Sequence, residues 1–230
     1  GTALRVASNF YVYNSFAVSA VRPAAGPVRG GTRVSVMGIH FVDMPMAQCQ
    51  FGMSGSTSTA RHVSGSELEC IAVPAVSEGS RFIELSLNGQ QFSIGGLVYV
   101  YYAEPVVSTI WPSQGIAEGG TPVTILGTGF HASVEARVRP LCRFNTTVVA
   151  AVPTSDSTLI CNSTISTAGV VGVEVSLNAH DFTSNGLHFE SVIGSIDDVV
   201  PWSGPTGGGT VLSVKGAGLA GAASSICRFT

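Results

Sequence analysis

Apolar and polar residues alternate with a period of two along most of the chain. The segments RVSVMG, PVTILG and VLSVKG, which end at Gly38, Gly127 and Gly216, show this alternation clearly. A period of two is typical of a β-strand that buries one side, because successive side chains point to opposite faces of a sheet. Turn residues separate the segments at short intervals, and helical periodicity is absent almost everywhere. The pattern predicts an all-β fold of short strands.

The same glycine-rich motif precedes each of these three segments. It reads PAAGPVRGGT, PSQGIAEGGT and PWSGPTGGGT, and successive copies begin 89 residues apart, at Pro23, Pro112 and Pro201. A phosphate-binding loop of the Walker type needs a lysine beside the final Ser or Thr, and no lysine precedes these threonines. We therefore predict a backbone turn in each copy. Its structural residues are Pro23, Gly30, Gly31, Pro112, Gly119, Gly120, Pro201, Gly208 and Gly209.

The glycine pair of this motif is expected to adopt positive φ angles or to let another strand approach the backbone closely. For Gly120 in particular, we expect that a side chain would collide with the neighbouring strand.

Further matches downstream extend the repeat over most of the chain. Cys-x-Phe recurs at Cys49, Cys142 and Cys227, and the sequence Leu-x-Cys ends at Cys70 and Cys161. The two complete units also share IELSLNGQQFS and VEVSLNAHDFT, although the second has Asn-Ala where the first has Asn-Gly. Each unit is predicted to be a small β-sandwich of about seven short strands.

The order of these motifs resembles the IPT/TIG domain, an immunoglobulin-like sandwich found in plexins, scatter-factor receptors, fibrocystin-like proteins and some transcription factors. The resemblance implies tandem immunoglobulin-like β-sandwiches of the E-set type, in an end-to-end array whose third unit is truncated. We expect residues 1–17 to be the closing strand of a preceding unit, residues 18–102 and 103–191 to be complete IPT/TIG domains, and residues 192–230 to be the N-terminal part of a further one.

The repeat also organises the cysteines. Matching positions predict the pairs Cys49–Cys70 and Cys142–Cys161, with the partner of Cys227 beyond the sequence. The alternative is that they are buried free thiols of a cytosolic protein. Disulfides belong to oxidising compartments, so we favour an extracellular or cell-surface location.

Composition and short motifs narrow the function. Two sequons, at Asn145 and Asn162, are candidate N-glycosylation sites. The net charge of −3 and the single lysine argue against nucleic acid as a partner. The longest apolar runs, such as VVAAV, are far shorter than the ~18 residues of a membrane span. We expect no direct membrane insertion of this segment.

No arrangement of residues indicates catalysis, a cofactor or a metal. The histidines are scattered, no nucleophile elbow occurs, and zinc-ligand spacings are absent. Asp197 and Asp198 together supply too few oxygen ligands for a calcium site. Repetition of scaffold residues without reactive ones favours binding or mechanics over an enzyme.

The second unit carries an insertion, HASVEARVRPL, that brings Arg137 and Arg139 near Arg143. Loops of this kind often carry partner specificity, so these three arginines are candidate partner contacts, although ordinary loop drift is the favoured explanation.

We therefore expect a non-catalytic extracellular repeat segment of a larger cell-surface or secreted protein. It would act as a rigid stalk, an adhesion module or a protein-binding module, with other proteins or neighbouring repeats as partners and homotypic assembly as a further option. Three alternatives stay open: a subunit of a surface filament, an intracellular Rel-like module for DNA binding or dimerisation, and a carbohydrate-associated module that uses Trp111 and Trp202. For these two tryptophans we expect packing between repeats instead.

Overall fold

A computed structural model describes residues 11–52, 56–130, 139–184, 186–219 and 227–228. Within those ranges every regular element is a β-strand. The all-β prediction is therefore confirmed. Residues 11–16, which the sequence predicts to belong to a closing strand, are not part of a strand.

The first repeat folds as two sheets packed face to face. One sheet has the strand order β1-β3-β7-β6, and the other has the order β2-β9-β8-β4-β5, in which β2 runs parallel to β9. Alternate residues such as Val34 and Val36 of β3 point into the core, where Phe51 and Tyr99 meet edge to face. The strands are Ala17–Arg22 (β1), Ala25–Pro27 (β2), Arg33–Ile39 (β3), Gln48–Phe51 (β4), Thr57–Thr59 (β5), Arg61–Ser64 (β6), Glu67–Ile71 (β7), Gly79–Ser86 (β8) and Leu97–Tyr102 (β9).

The second repeat has the same topology, strand for strand. Its sheets have the orders β10-β12-β16-β15 and β11-β18-β17-β13-β14. The core contains Val123 and Ile125 of β12 and an edge-to-face pair formed by Phe144 and Phe189. The strands are Val106–Trp111 (β10), Gln114–Ile116 (β11), Pro122–Thr128 (β12), Leu141–Phe144 (β13), Thr147–Ala150 (β14), Val152–Ser155 (β15), Thr158–Asn162 (β16), Gly169–Ser176 (β17) and Leu187–Val192 (β18).

The described part of the third repeat forms a two-stranded antiparallel sheet. Its strands are Asp198–Val200 (β19) and Ser213–Lys215 (β20), which correspond to β1 and β3 of the first repeat. Between them lies the third copy of the glycine-rich motif, with positive φ angles at Gly208 and Gly209.

The glycine-rich motif forms a corner in all three repeats. Both glycines of each pair have φ angles between 75° and 86°, a region that glycine occupies freely and other residues rarely adopt. The peptide bond before the first proline of the motif is cis each time. In the second repeat the corner is fastened to the end of β16, because Gly120 N and Thr121 N donate hydrogen bonds to the carbonyl and the hydroxyl of Ser163.

The expected collision at Gly120 is wrong. No atom lies within 4 Å of the position that a Cβ of Gly120 would occupy. The close approach occurs instead at Gly119, whose Cβ would lie 2.8 Å from Ile165 N. The first glycine of the pair is thus required both by its positive φ angle and by the close approach of another backbone segment. The second is required by its positive φ angle alone.

Two further contacts explain the other constant positions of the repeat. A side chain on Gly115 would overlap Thr121, so the Gly of Pro-x-x-Gly and the Thr of Gly-Gly-Thr are packing partners. A Cβ on Gly127 would overlap the carbonyl oxygen of Val106 and lie 2.6 Å from the buried ring of Phe130. Glycine at this strand end lets the phenylalanine ring close the core.

The Asn-Ala variant keeps the turn that Asn-Gly forms in the first repeat. Ala179 has a φ of 68°, close to the 73° of Gly89. Asn178 Oδ1 accepts hydrogen bonds from the backbone N–H groups of His180 and Asp181, as Asn88 does from Gln90 and Gln91. The asparagine side chain, which bonds the backbone as an Asx turn, defines this turn in both repeats.

The corner geometry predicts different costs for the two glycines. Gly120→Ala should destabilise the second repeat by about 1 kcal/mol, the cost of placing alanine in the left-handed region. Gly119→Ala should cost clearly more, since its Cβ also meets the backbone at residues 163–165. Hydrogen–deuterium exchange of second-repeat peptides in the whole chain would measure both effects. Equal losses of protection in the two variants would contradict this account.

Candidate interaction surface

A disulfide joins the two sheets in each of the two sandwiches. Cys49 on β4 is bonded to Cys70 on β7, and Cys142 on β13 is bonded to Cys161 on β16. All four cysteines are buried, and the Cα–Cα distances are 6.3 and 6.4 Å. The bridges lie inside the core and leave the outer face of each sheet to solvent. Cys227 is exposed.

In the first repeat, the outer face of the β1-β3-β7-β6 sheet is charged. One cross-strand row consists of Arg22, Ser35, Glu69 and Arg61, one residue from each strand. Glu69 accepts two hydrogen bonds from Arg61, at 2.9 and 3.2 Å, and one from Arg33 at 2.5 Å. The hydrogen bond from Arg61, aided by the positive charges of Arg33 and Arg61, lowers the pKa of Glu69.

In the second repeat, the equivalent face is apolar. The matching row consists of Trp111, Thr124, Ile160 and Val152. Trp111 exposes 65% and Val152 exposes 60% of its surface, while Ile160 is half-buried. Where the first repeat has Arg33 beside this row, the second has Pro122. We call Trp111, Pro122, Ile160 and Val152 the apolar strip.

Both sequon asparagines are exposed, but they lie on different sheets. Asn162 is the last residue of β16 and is paired with Pro122, on the same face as the apolar strip. Asn145 follows β13, with a φ of 51°, and its Oδ1 accepts a hydrogen bond of 2.9 Å from Gly172 N. Asn145 therefore has a structural contact that Asn162 lacks among the hydrogen bonds described.

The structure describes two of the three arginines suggested as partner contacts. Arg137 lies outside the described residues. Arg139 is exposed. Arg143 forms an ion pair with Glu174 on the adjacent strand, and its guanidinium lies 4.3 Å from the centre of the Phe182 ring. Arg143 is thus held by its own sheet, which the sequence alone did not indicate.

The structure describes both tryptophans for which packing between repeats was expected. Trp202 exposes 91% of its surface, and Trp111 is also largely exposed. Trp111 is the last residue of β10 and directly precedes its motif proline, whereas Trp202 directly follows Pro201 and lies outside the strands.

The described parts of the chain contain no group of three or more His, Cys, Asp and Glu side chains placed to hold a metal ion. Over the same ranges, no helix is long and apolar enough to cross a membrane.

Comparison with known proteins agrees with the topology. The sequence profile of the IPT/TIG domain matches residues 17–101 and, again, residues 105–191. The chain belongs to the IPT/TIG family. Its two described sandwiches are tandem members of that immunoglobulin-like fold.

Plexins are among the similar proteins. The chain is 31% identical to Plexin A3 of Danio rerio over 137 residues, which cover 56% of the chain and 7% of that plexin. It is 26% identical to human Plexin-A3 over 151 residues, or 62% of the chain and 8% of the plexin. The chain thus spans less than a tenth of the length of these relatives.

A solved structure also matches in fold. The full extracellular region of Plexin A4, domains 1 to 10, superposes with a TM-score of 0.52 at 14% identity, over 86% of the chain and 19% of that structure.

Family membership makes this IPT/TIG segment a non-catalytic module. The plexin relatives and the sheet-bridging disulfides indicate an extracellular or cell-surface location. The segment therefore contributes to an extracellular repeat region of a larger protein.

Removing a disulfide should destabilise its own repeat only. Each bridge closes a loop of about 20 residues, so replacing Cys142 and Cys161 by Ala should lower the free energy of unfolding of the second repeat by about 3 kcal/mol. Hydrogen exchange of peptides from both repeats would show this, with the Cys49 and Cys70 double variant as the matched control. Unchanged protection in the second repeat would contradict the expected role.

The charged row predicts a pH dependence. Because the pKa of Glu69 is lowered in the folded protein, its stabilising contribution is present above the unfolded pKa and is lost as the pH falls through the folded value. Arg61→Gln should raise the Glu69 pKa toward its ordinary value, since the main hydrogen bond is gone. Carbon NMR of the Glu69 carboxyl group would measure the shift, and Arg81→Gln, on the other sheet, should leave it unchanged.

Proposed function

We propose that this segment is a protein-binding and spacing part of the extracellular region of a larger cell-surface protein. One contrast supports the proposal most strongly. The two repeats share topology, disulfides and corner glycines, yet the same outer face is charged in one and apolar in the other. A scaffold that is repeated while its solvent-facing rows diverge is suited to presenting different surfaces along one chain.

The spacing role rests on how closely the repeats follow each other. Only residues 102–104 lie between the two profile matches, and Pro105 follows them. A connection this short restricts the freedom of neighbouring domains far more than a flexible linker does. For the domain limits we propose residues 18–102 and 103–191, flanked by the tail of one unit in residues 1–17 and the start of another in residues 192–230.

The proposal also includes modification and contact residues. Asn145 and Asn162 carry N-linked glycans, since both are exposed sequon asparagines in an extracellular segment. The loop with Arg137 and Arg139 is the candidate contact for a partner protein. Arg143 supports the adjacent strand through its ion pair with Glu174.

Binding by intact cells would test the proposed function. The whole 230-residue chain, secreted and multimerised through a tag, should bind the surface of cells of the source organism saturably, and excess monomer should compete. An Arg137→Gln and Arg139→Gln chain tests the loop, with Arg81→Gln as the control.

Antibodies raised against the segment should label those cells without permeabilisation. Nuclear labelling would instead favour the intracellular module. Absence of cell binding together with concentration-dependent assembly in analytical ultracentrifugation would favour a filament subunit or homotypic assembly.

A further inference from the structure

We propose that the N-linked glycan of Asn162 folds back over the apolar strip of the second repeat and covers Trp111, Ile160 and Val152. The inference rests on the extracellular location and on glycan attachment at Asn162 in the proposed function. It adds an intramolecular binding site for carbohydrate on the outer face of the β10-β12-β16-β15 sheet.

Register places the sequon on the strip itself. Along β16, Leu159 and Cys161 are buried in the core, so Thr158, Ile160 and Asn162 share the outer face. Ile160 is two residues from Asn162, a separation of about 7 Å along the strand. Trp111 lies on β10, two strands from β16, which is about 10 Å across the sheet. The first sugar rings of a glycan span such distances.

The strip has the chemistry that a sugar ring requires. A pyranose ring presents C–H groups on its faces and hydroxyl groups around its rim. The indole of Trp111 offers a flat apolar surface for the ring faces, and its N–H is a hydrogen-bond donor. Thr124 lies in the same cross-strand row and supplies a hydroxyl group between Trp111 and Ile160. Aliphatic carbons of Pro122 and Val152 extend the apolar surface on either side.

The first repeat supports the link between sequon and strip. At the positions equivalent to Trp111, Ile160 and Val152 it has Arg22, Glu69 and Arg61. At the position equivalent to Asn162 it has Ile71, and the sequence Ile-Ala-Val there is not a sequon. The apolar strip and the candidate glycan acceptor occur together in the second repeat. The equivalent sheet face of the first repeat has neither.

An uncovered strip would be a liability. It ends at β15, an edge strand, and an exposed apolar edge invites pairing with another chain. A protein partner on this face would have to make room for a glycan attached in the adjacent row. A glycan that covers the strip removes the liability and needs no partner.

Fluorescence quenching would test the proposal on the whole chain, secreted with its glycans. Trp202 is the only other tryptophan, so a Trp202→Phe background reports on Trp111 alone. Thr164→Ala removes the Asn162 sequon while it keeps the asparagine. Thr147→Ala removes the Asn145 sequon in the same way and is the matched control.

Loss of the Asn162 glycan should raise the acrylamide quenching constant of Trp111 about twofold, because one face of the indole becomes open to solvent. Loss of the Asn145 glycan should leave the constant unchanged. Endoglycosidase trimming of the folded Trp202→Phe chain to a single sugar at each site should give an intermediate value, which provides the readout if Thr164→Ala folds poorly.

Self-association provides a second readout. The Thr164→Ala chain should form concentration-dependent oligomers in analytical ultracentrifugation. Replacing Trp111, Ile160 and Val152 with Arg, Glu and Arg, the residues of the first repeat, should return it to a monomer.

The outcomes separate the two proposals. An unoccupied Asn162 in the natural protein, seen by mass spectrometry, would overturn both the glycan assignment and the covering role. An occupied Asn162 with unchanged Trp111 quenching would overturn the covering role alone. Cell binding by the glycosylated chain that is lost on replacing the strip with Arg, Glu and Arg would show that the face serves a protein partner, and would also overturn it.

Discussion

Each sheet of this protein buries one face and exposes the other, and most of its features follow from that constraint. The buried faces must fill a narrow space between two sheets. In each repeat this space is filled by apolar side chains, one disulfide and one phenylalanine that closes the core. The paired glycines of the repeated motif lie where the chain passes from a strand of one sheet to a strand of the other. The exposed face carries no such demand, so Arg22, Glu69 and Arg61 can be replaced by Trp111, Ile160 and Val152 on an unchanged backbone topology.

Much of this architecture was accessible from the sequence, because alternation and repetition are local signals. The strand at residues 122–128, its terminal glycine and the phenylalanine that follows were all visible as a motif. The role of Gly119 was not, because the segment it approaches, residues 163–165, is distant in the chain. The charged row was hidden for the same reason. Its members come from four strands, and only the register reveals that they are neighbours.

The sequence also did not reveal the contacts that Arg143 makes within its own repeat. Aligned with Gln50 of the first repeat, it looked like one member of a basic loop. In the structure it forms an ion pair with Glu174 and its guanidinium lies over the ring of Phe182, both within its own repeat. The charge of a side chain does not show whether it is available to a partner protein or already paired within its own sheet. The pairing depends on cross-strand neighbours, which the sequence does not reveal.

The turn at Asn145 places two different demands on one residue. Its side-chain oxygen bonds Gly172 N, and its backbone has a positive φ that asparagine tolerates better than most residues. Folding therefore restricts substitution at this position whether or not a sugar is attached. Thr147 is exposed and carries no such restriction. Over evolutionary time, glycosylation at this hairpin should be gained and lost through substitutions at position 147, while asparagine is retained at position 145. An asparagine at position 145 is therefore not by itself a sign of glycosylation.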